Sequence, residues 1–112
     1  MSALFTSLTE TNQLKEIQAL SISKPVLIFK HSTRCGISRM VLKRFEQNVA
    51  DFKDQYELYY LDLLNHRDLS SAIAIEFSIV HESPQIIVLK NSQVVHSASH
   101  YDILEINFEK FI

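Results

Sequence analysis

The sequence predicts an α/β protein: a mixed sheet of four strands, with room for a fifth, flanked by helices. Three observations carry that prediction. Segments with apolar residues at helical spacing alternate with short apolar or aromatic-rich runs. Successive strand–helix–strand passages imply crossovers between parallel strands. Near the end, two β-rich runs are separated by three polar residues, as in an antiparallel hairpin. Parallel and antiparallel pairs in one sheet make it mixed, and the helices are free to cover both faces.

Each element follows from its residues. Leu14, Ile17 and Leu20 recur at helical spacing after Thr11, a candidate N-cap, and predict a helix over 10–21. Pro25 then precedes VLIF, an apolar run that suits a buried strand. From Gly36, the residues Ile37, Met40, Val41, Phe45 and Val49 predict a second helix. YELYYLDL, at 56–63, reads as a strand, and RDLSSAIAIEF, at 67–77, as a helix with Leu69, Ile73 and Phe77 on one face. IIVLK (86–90) and VVHSA (94–98) flank Asn91, Ser92 and Gln93, a hairpin without the usual glycine. DILEINFEKFI, at 102–112, predicts a closing helix.

The totals narrow the function. A length of 112 residues suits one compact domain spanning 1–112, and 46% hydrophobic residues can build its core. A net charge of −2 argues against nucleic-acid binding. The N-terminal segment lacks a signal-peptide core and no run of 18 apolar residues spans a membrane, so the expectation is a cytoplasmic protein. The single cysteine excludes an internal disulfide, and in that compartment it stays reduced.

KHSTRCGISRM, residues 30–40, concentrates the chemistry. It holds the only cysteine and the only glycine. Residues 30–44 also hold Lys30, Arg34, Arg39, Lys43 and Arg44 with no acid. Such a patch would attract anionic thiols, although Lys43 and Arg44 equally suit a solvated helix face. Ligands on α/β sheets bind beyond the carboxyl ends of strands, where this segment begins. A lone cysteine is usually a small buried hydrophobe. Cys35 sits instead in a polar loop at a predicted helix start, where dipole and arginines favour thiolate. Gly36 removes a side chain that would crowd the sulfur. Ser38 is either a first-turn serine or the residue standing where a dithiol enzyme keeps its second cysteine, within reach of the thiolate. Ser83-Pro84 is either punctuation before a strand or a cis bond. A metal site would need His31, Cys35 and two distant histidines to converge, and only one ligand would be soft. His31 reads better as the end of the strand beside the cysteine loop, His81 as a residue facing the Ser-Pro turn, and His66 and His96 as surface residues.

FKHSTRCGISRM, YLDLLNHRDLSSAIAIEF, HESPQIIVLKN and SASHYDI, in that order, closely resemble the YtxJ-like monothiol bacilliredoxins. These are small thioredoxin-fold proteins assigned to the bacillithiol redox system. The resemblance implies a thioredoxin-like fold, Cys35 as nucleophile of a Cys-x-x-Ser motif, Ser38 in the resolving position and Pro84 as the cis-proline. From their place around the cysteine loop, His31, Arg34, Gly36, Arg39, Ser83 and Pro84 are expected to surround the substrate, and a thioredoxin-type sheet would set the Ser83-Pro84 loop facing Cys35. The resemblance also implies bacillithiol, or another low-molecular-weight thiol, as co-substrate, S-thiolated client proteins as partners, and no tightly bound cofactor or metal. Gly36 stands where many members carry proline. C-G-x-S is also similar to monothiol glutaredoxins, some of which carry iron–sulfur clusters; those show a Gly-Gly and Asp-rich stretch where this chain has SASHYD. CGISR is similar to the cysteine loop of glutaredoxin-linked arsenate reductases, which carry an arginine before the cis-proline where this chain has Ser83.

Overall fold

The structure is a computed structural model that describes residues 4–112. Five strands form one sheet: β1 (Thr6–Ser7), β2 (Val26–His31), β3 (Glu57–Asp62), β4 (Gln85–Lys90) and β5 (Gln93–Ser99), in the order β1-β3-β2-β4-β5. β1, β3 and β2 are parallel, whereas β4 runs antiparallel to β2 and to β5. All six residues of β2 are buried, which is why its first four, VLIF, read as an apolar run instead of alternating. β1 escapes the sequence patterns because only two of its residues pair.

Three α-helices cover the two faces: α1 (Gln13–Ser23), α2 (Gly36–Val49) and α3 (Arg67–Glu76). The alternation along β2 sorts the core. Leu27 and Phe29 pack with Val41, Phe45 and Val49 of α2 and with Ile103, Phe108 and Phe111 near the C-terminus. Val26 and Ile28 point the other way, to Leu14 and Ile17 of α1 and Leu69 and Ile73 of α3.

Several sequence expectations are corrected. α1 begins at Gln13 after Asn12, not at a Thr11 cap, and Leu20 is 36% exposed. No side chain caps α1; Gln13, its first residue, instead ties down the preceding turn, its Oε1 accepting from the Thr9 and Glu10 amides at 2.7 and 3.0 Å. On α2 the buried stripe is Ser38, Val41, Phe45 and Val49, so Ile37 and Met40 lie exposed beside the first turn. The chain end forms two 3₁₀ segments, His100–Glu105 and Phe108–Phe111, not one α-helix. Ile103, Phe108 and Phe111 all enter the same core, and their spacing does not fit one face of an α-helix. Asn107 breaks the run in an extended conformation and caps the second segment, its side chain accepting from the Glu109 amide at 3.2 Å.

Candidate active site around Cys35

The carboxyl ends of β2 and β3 and the amino end of β4 share one rim of the sheet, with Lys30 opposite Gln85 across the β2–β4 pair. The Cys35 loop leaves β2 there, and Ser83-Pro84 enters β4 there. Cys35 is the N-cap residue of α2, with extended backbone and a half-buried side chain that caps nothing. The first amides of a helix have no intrahelical acceptor, so the thiol stands at their positive end. The first turn contains no acid to compete for them. The loop is tied down by its own backbone: the Cys35 amide donates to the Ser32 carbonyl at 3.2 Å, and the Arg39 amide to the Cys35 carbonyl at 3.0 Å. The Arg39 guanidinium also folds back to donate to the Thr33 carbonyl at 3.0 Å.

Ser38 is fully buried, and its hydroxyl is committed to two partners other than the sulfur. Oγ accepts from the Ser32 amide at 3.1 Å and lies 2.7 Å from His31 Nδ1, which accepts the hydroxyl proton in the tautomer that carries its own proton on Nε2. His31 does end β2 as expected, but it is only 4% exposed, packed against the rings of Phe29 and Tyr60. It therefore touches Ser38 from inside instead of presenting a surface to an incoming substrate. Burial lowers its pKa below the usual 6.5, with Asp62 pulling the other way and Arg39 reinforcing the fall, so the ring is neutral at neutral pH.

The Ser83-Pro84 bond is cis. The Pro84 carbonyl is taken by the His100 amide at 3.0 Å. Ser83 Oγ is buried and has no hydrogen-bond partner among the described residues. Gly36 is exposed with ordinary φ, and a Cβ there would meet only Arg39 Nη2 at 3.8 Å. The fold itself thus leaves room for a side chain at 36.

Residues 6–107, which include the Cys35 loop and Pro84, match the family described as monothiol bacilliredoxin BrxC. The chain belongs to the monothiol bacilliredoxin BrxC family. Solved structures share the fold. A protein described as having a thioredoxin fold is 29% identical, with a TM-score of 0.80 over 91% of this chain and 88% of that one. Thioredoxins of Malassezia sympodialis and Fasciola hepatica, at 24% and 14% identity, show the same fold with TM-scores of 0.71 and 0.69. They cover 90% and 86% of this chain and 83% and 86% of their own. Family and fold place this bacilliredoxin among the thioredoxin-fold thiol oxidoreductases.

Other parts of the bacilliredoxin surface differ from the sequence expectation. Arg34, Arg39, Lys43 and Arg44 are exposed, but Lys30 is not part of the basic patch: it is 0% exposed. Its Nζ lies 2.6 Å from His81 Nδ1 and 3.0 Å from Gln85 Oε1. Sequence reasoning missed this buried lysine and Gln85; the available signal was a charged residue continuing an apolar strand. His96, expected on the surface, is half-buried against the Phe111 ring, and burial, then Lys110, lowers its pKa. Among the described residues no three His, Cys, Asp or Glu side chains are placed to hold a metal. A groove of about 660 Å³, lined by Glu82, Gln85, His96, Ser99 and Asp102 among others, lies behind the Pro84 loop and does not include Cys35. No helix among the described residues is long and apolar enough to cross a membrane.

Proposed function

We propose that this bacilliredoxin removes a low-molecular-weight thiol, bacillithiol, from protein mixed disulfides by exchange at Cys35. The observation that carries the reading is the position of the only cysteine: it stands at the N-terminus of α2, half-exposed, beside a first turn free of acids, with serine three residues on. The Cys35 thiolate attacks the sulfur of the small thiol. The client sulfur leaves as thiolate and takes a proton from solvent, so the client is reduced and Cys35 holds the small thiol as a mixed disulfide. A second small thiol, as thiolate, then attacks that bond; a small-molecule disulfide leaves and the Cys35 thiolate is regenerated. Ser38 cannot resolve the intermediate, and with His31 it holds the loop that presents the sulfur. Arg34, Arg39 and the opening above Gly36 receive the anionic small thiol, and Ser83 and Pro84 dock its amide backbone. Residues 1–112 act as one unit in the reducing cytoplasm, where the co-substrate thiol is kept reduced and S-thiolated proteins are the clients.

Intact mass tests this. Incubated with an S-bacillithiolated client, the native protein should gain one bacillithiol while the client loses it. Cys35→Ser should gain nothing and leave the client modified. A native protein that stays unmodified beside an unchanged client overturns the proposal.

A further inference from the structure

Lys30 is a polar hub in a site that otherwise needs none. It lies on β2, five residues before Cys35, with its side chain wholly enclosed on the face covered by α3. Nζ reaches His81 Nδ1 and Gln85 Oε1, and Ser70 of α3 approaches the same His81 nitrogen at 3.3 Å. Gln85 then acts as a staple. Its Oε1 also accepts from the Glu82 amide at 3.4 Å, and its Nε2 donates to the Val80 carbonyl at 2.9 Å. Lys30 and Gln85 between them hold residues 80–82, the stretch that leads directly into Ser83-Pro84.

No carboxylate is paired with this amine among the described residues. Glu82, the acid of the same loop, is turned to Ser99 Oγ at 2.6 Å and His100 Nδ1 at 3.5 Å. A buried cation with only neutral acceptors costs stability, and an apolar residue of similar volume is commonly as good or better for the fold. What the amine supplies here is geometry: it joins the strand that delivers Cys35 to the loop that delivers Pro84.

We infer that Lys30 is a positioning residue, which through Gln85 and His81 sets the Ser83-Pro84 loop to receive the amide backbone of the thiol substrate. This rests on exchange at Cys35. It predicts that losing Lys30 harms substrates with a backbone to dock and spares those without one.

The test compares two symmetrical disulfides, that of N-acetylcysteine amide and that of 2-mercaptoethanol. In each, the Cys35 thiolate attacks one sulfur, the S–S bond breaks and one thiolate leaves. The rate of adduct formation is followed by mass, with alkylation by iodoacetamide as a measure of Cys35 alone. Lys30→Met should slow the amide-bearing disulfide about tenfold against the native protein, the scale of a small misplacement of a docking group. The 2-mercaptoethanol disulfide and iodoacetamide should react at native rates. Gln85→Glu keeps an acceptor for Lys30 but removes the donor to Val80, and should show the same selective loss; it decides the matter if Lys30→Met does not fold. Equal slowing of both disulfides, or no slowing of either, overturns the inference. A native protein that forms no adduct with either disulfide overturns the exchange reading itself.

Discussion

Ser38 shows how one hydroxyl shapes the loop that carries the sulfur. It is fully buried, accepts from the Ser32 amide and meets His31 Nδ1, so the helix holds the loop at one end and β2 at the other. Ser38→Ala leaves an amide and a ring nitrogen without their partner, in a place water does not readily reach. Leaving such groups unpaired should lower unfolding free energy by about 1–3 kcal/mol. Urea denaturation of the variant measures this, and an unchanged midpoint would show that neither bond contributes. Gly36, the neighbour on the other side of Cys35, makes no comparable demand, because its φ is ordinary and its Cβ position is open.

At the scale of elements, the β4–β5 hairpin turns on two residues in left-handed conformation, Asn91 at φ 54 and Ser92 at φ 67. A type I′ turn needs both, and it usually places glycine at the second, where this chain has Ser92. Here α1 supplies the compensation: Ser21 accepts the Asn91 amide on its carbonyl and the Ser92 amide on its hydroxyl, each at 2.8 Å. A hairpin fixed from outside tolerates a serine that disfavours its own backbone. Ser92→Gly keeps the amide and removes the Cβ penalty, so it should stabilise the protein by about 1 kcal/mol. Thermal unfolding should show a higher midpoint; a lower one would mean that the Ser92 side chain contributes more than its backbone costs.

For the whole molecule, burial of Lys30 links stability to pH. Desolvation lowers its pKa from 10.5 to about 8. Between those values the unfolded chain binds more protons than the folded one, so stability rises with pH through that window. The cost of the buried ammonium is present in full below about 8 and is gone above 10.5. Tyr56 acts in the opposite sense: its pKa is pushed up to about 12 by burial, so its contribution is lost as pH rises from 10. Comparing the native protein with Lys30→Met cancels the tyrosine. The native protein should gain about 2 kcal/mol on the variant between pH 7 and pH 10. Urea midpoints at the two pH values give the difference, and a constant gap would mean that Lys30 is not held in the interior as a charge.

The strand–helix alternation, the crossovers, the hairpin and the Cys35–Ser38 motif at a helix start are all legible in the residue order. These depend on spacing within a few residues, and local periodicity records that spacing. The cis bond at Pro84 was one of two readings the dipeptide allowed, and only the folded chain chose between them. Tertiary structure alone decided where the polar side chains of the rim point. Lys30 reads as surface charge because it stands beside Arg34 and Arg39 in the chain, yet α3 and the 80–84 loop close over it from distant positions. Ser38 reads as a neighbour of the sulfur because it lies three residues on, yet the ring at the end of β2 claims its hydroxyl. The two-residue β1 and the 3₁₀ ending carry too little repeating pattern to be read locally, and the sheet edge and the core on the α2 side impose them.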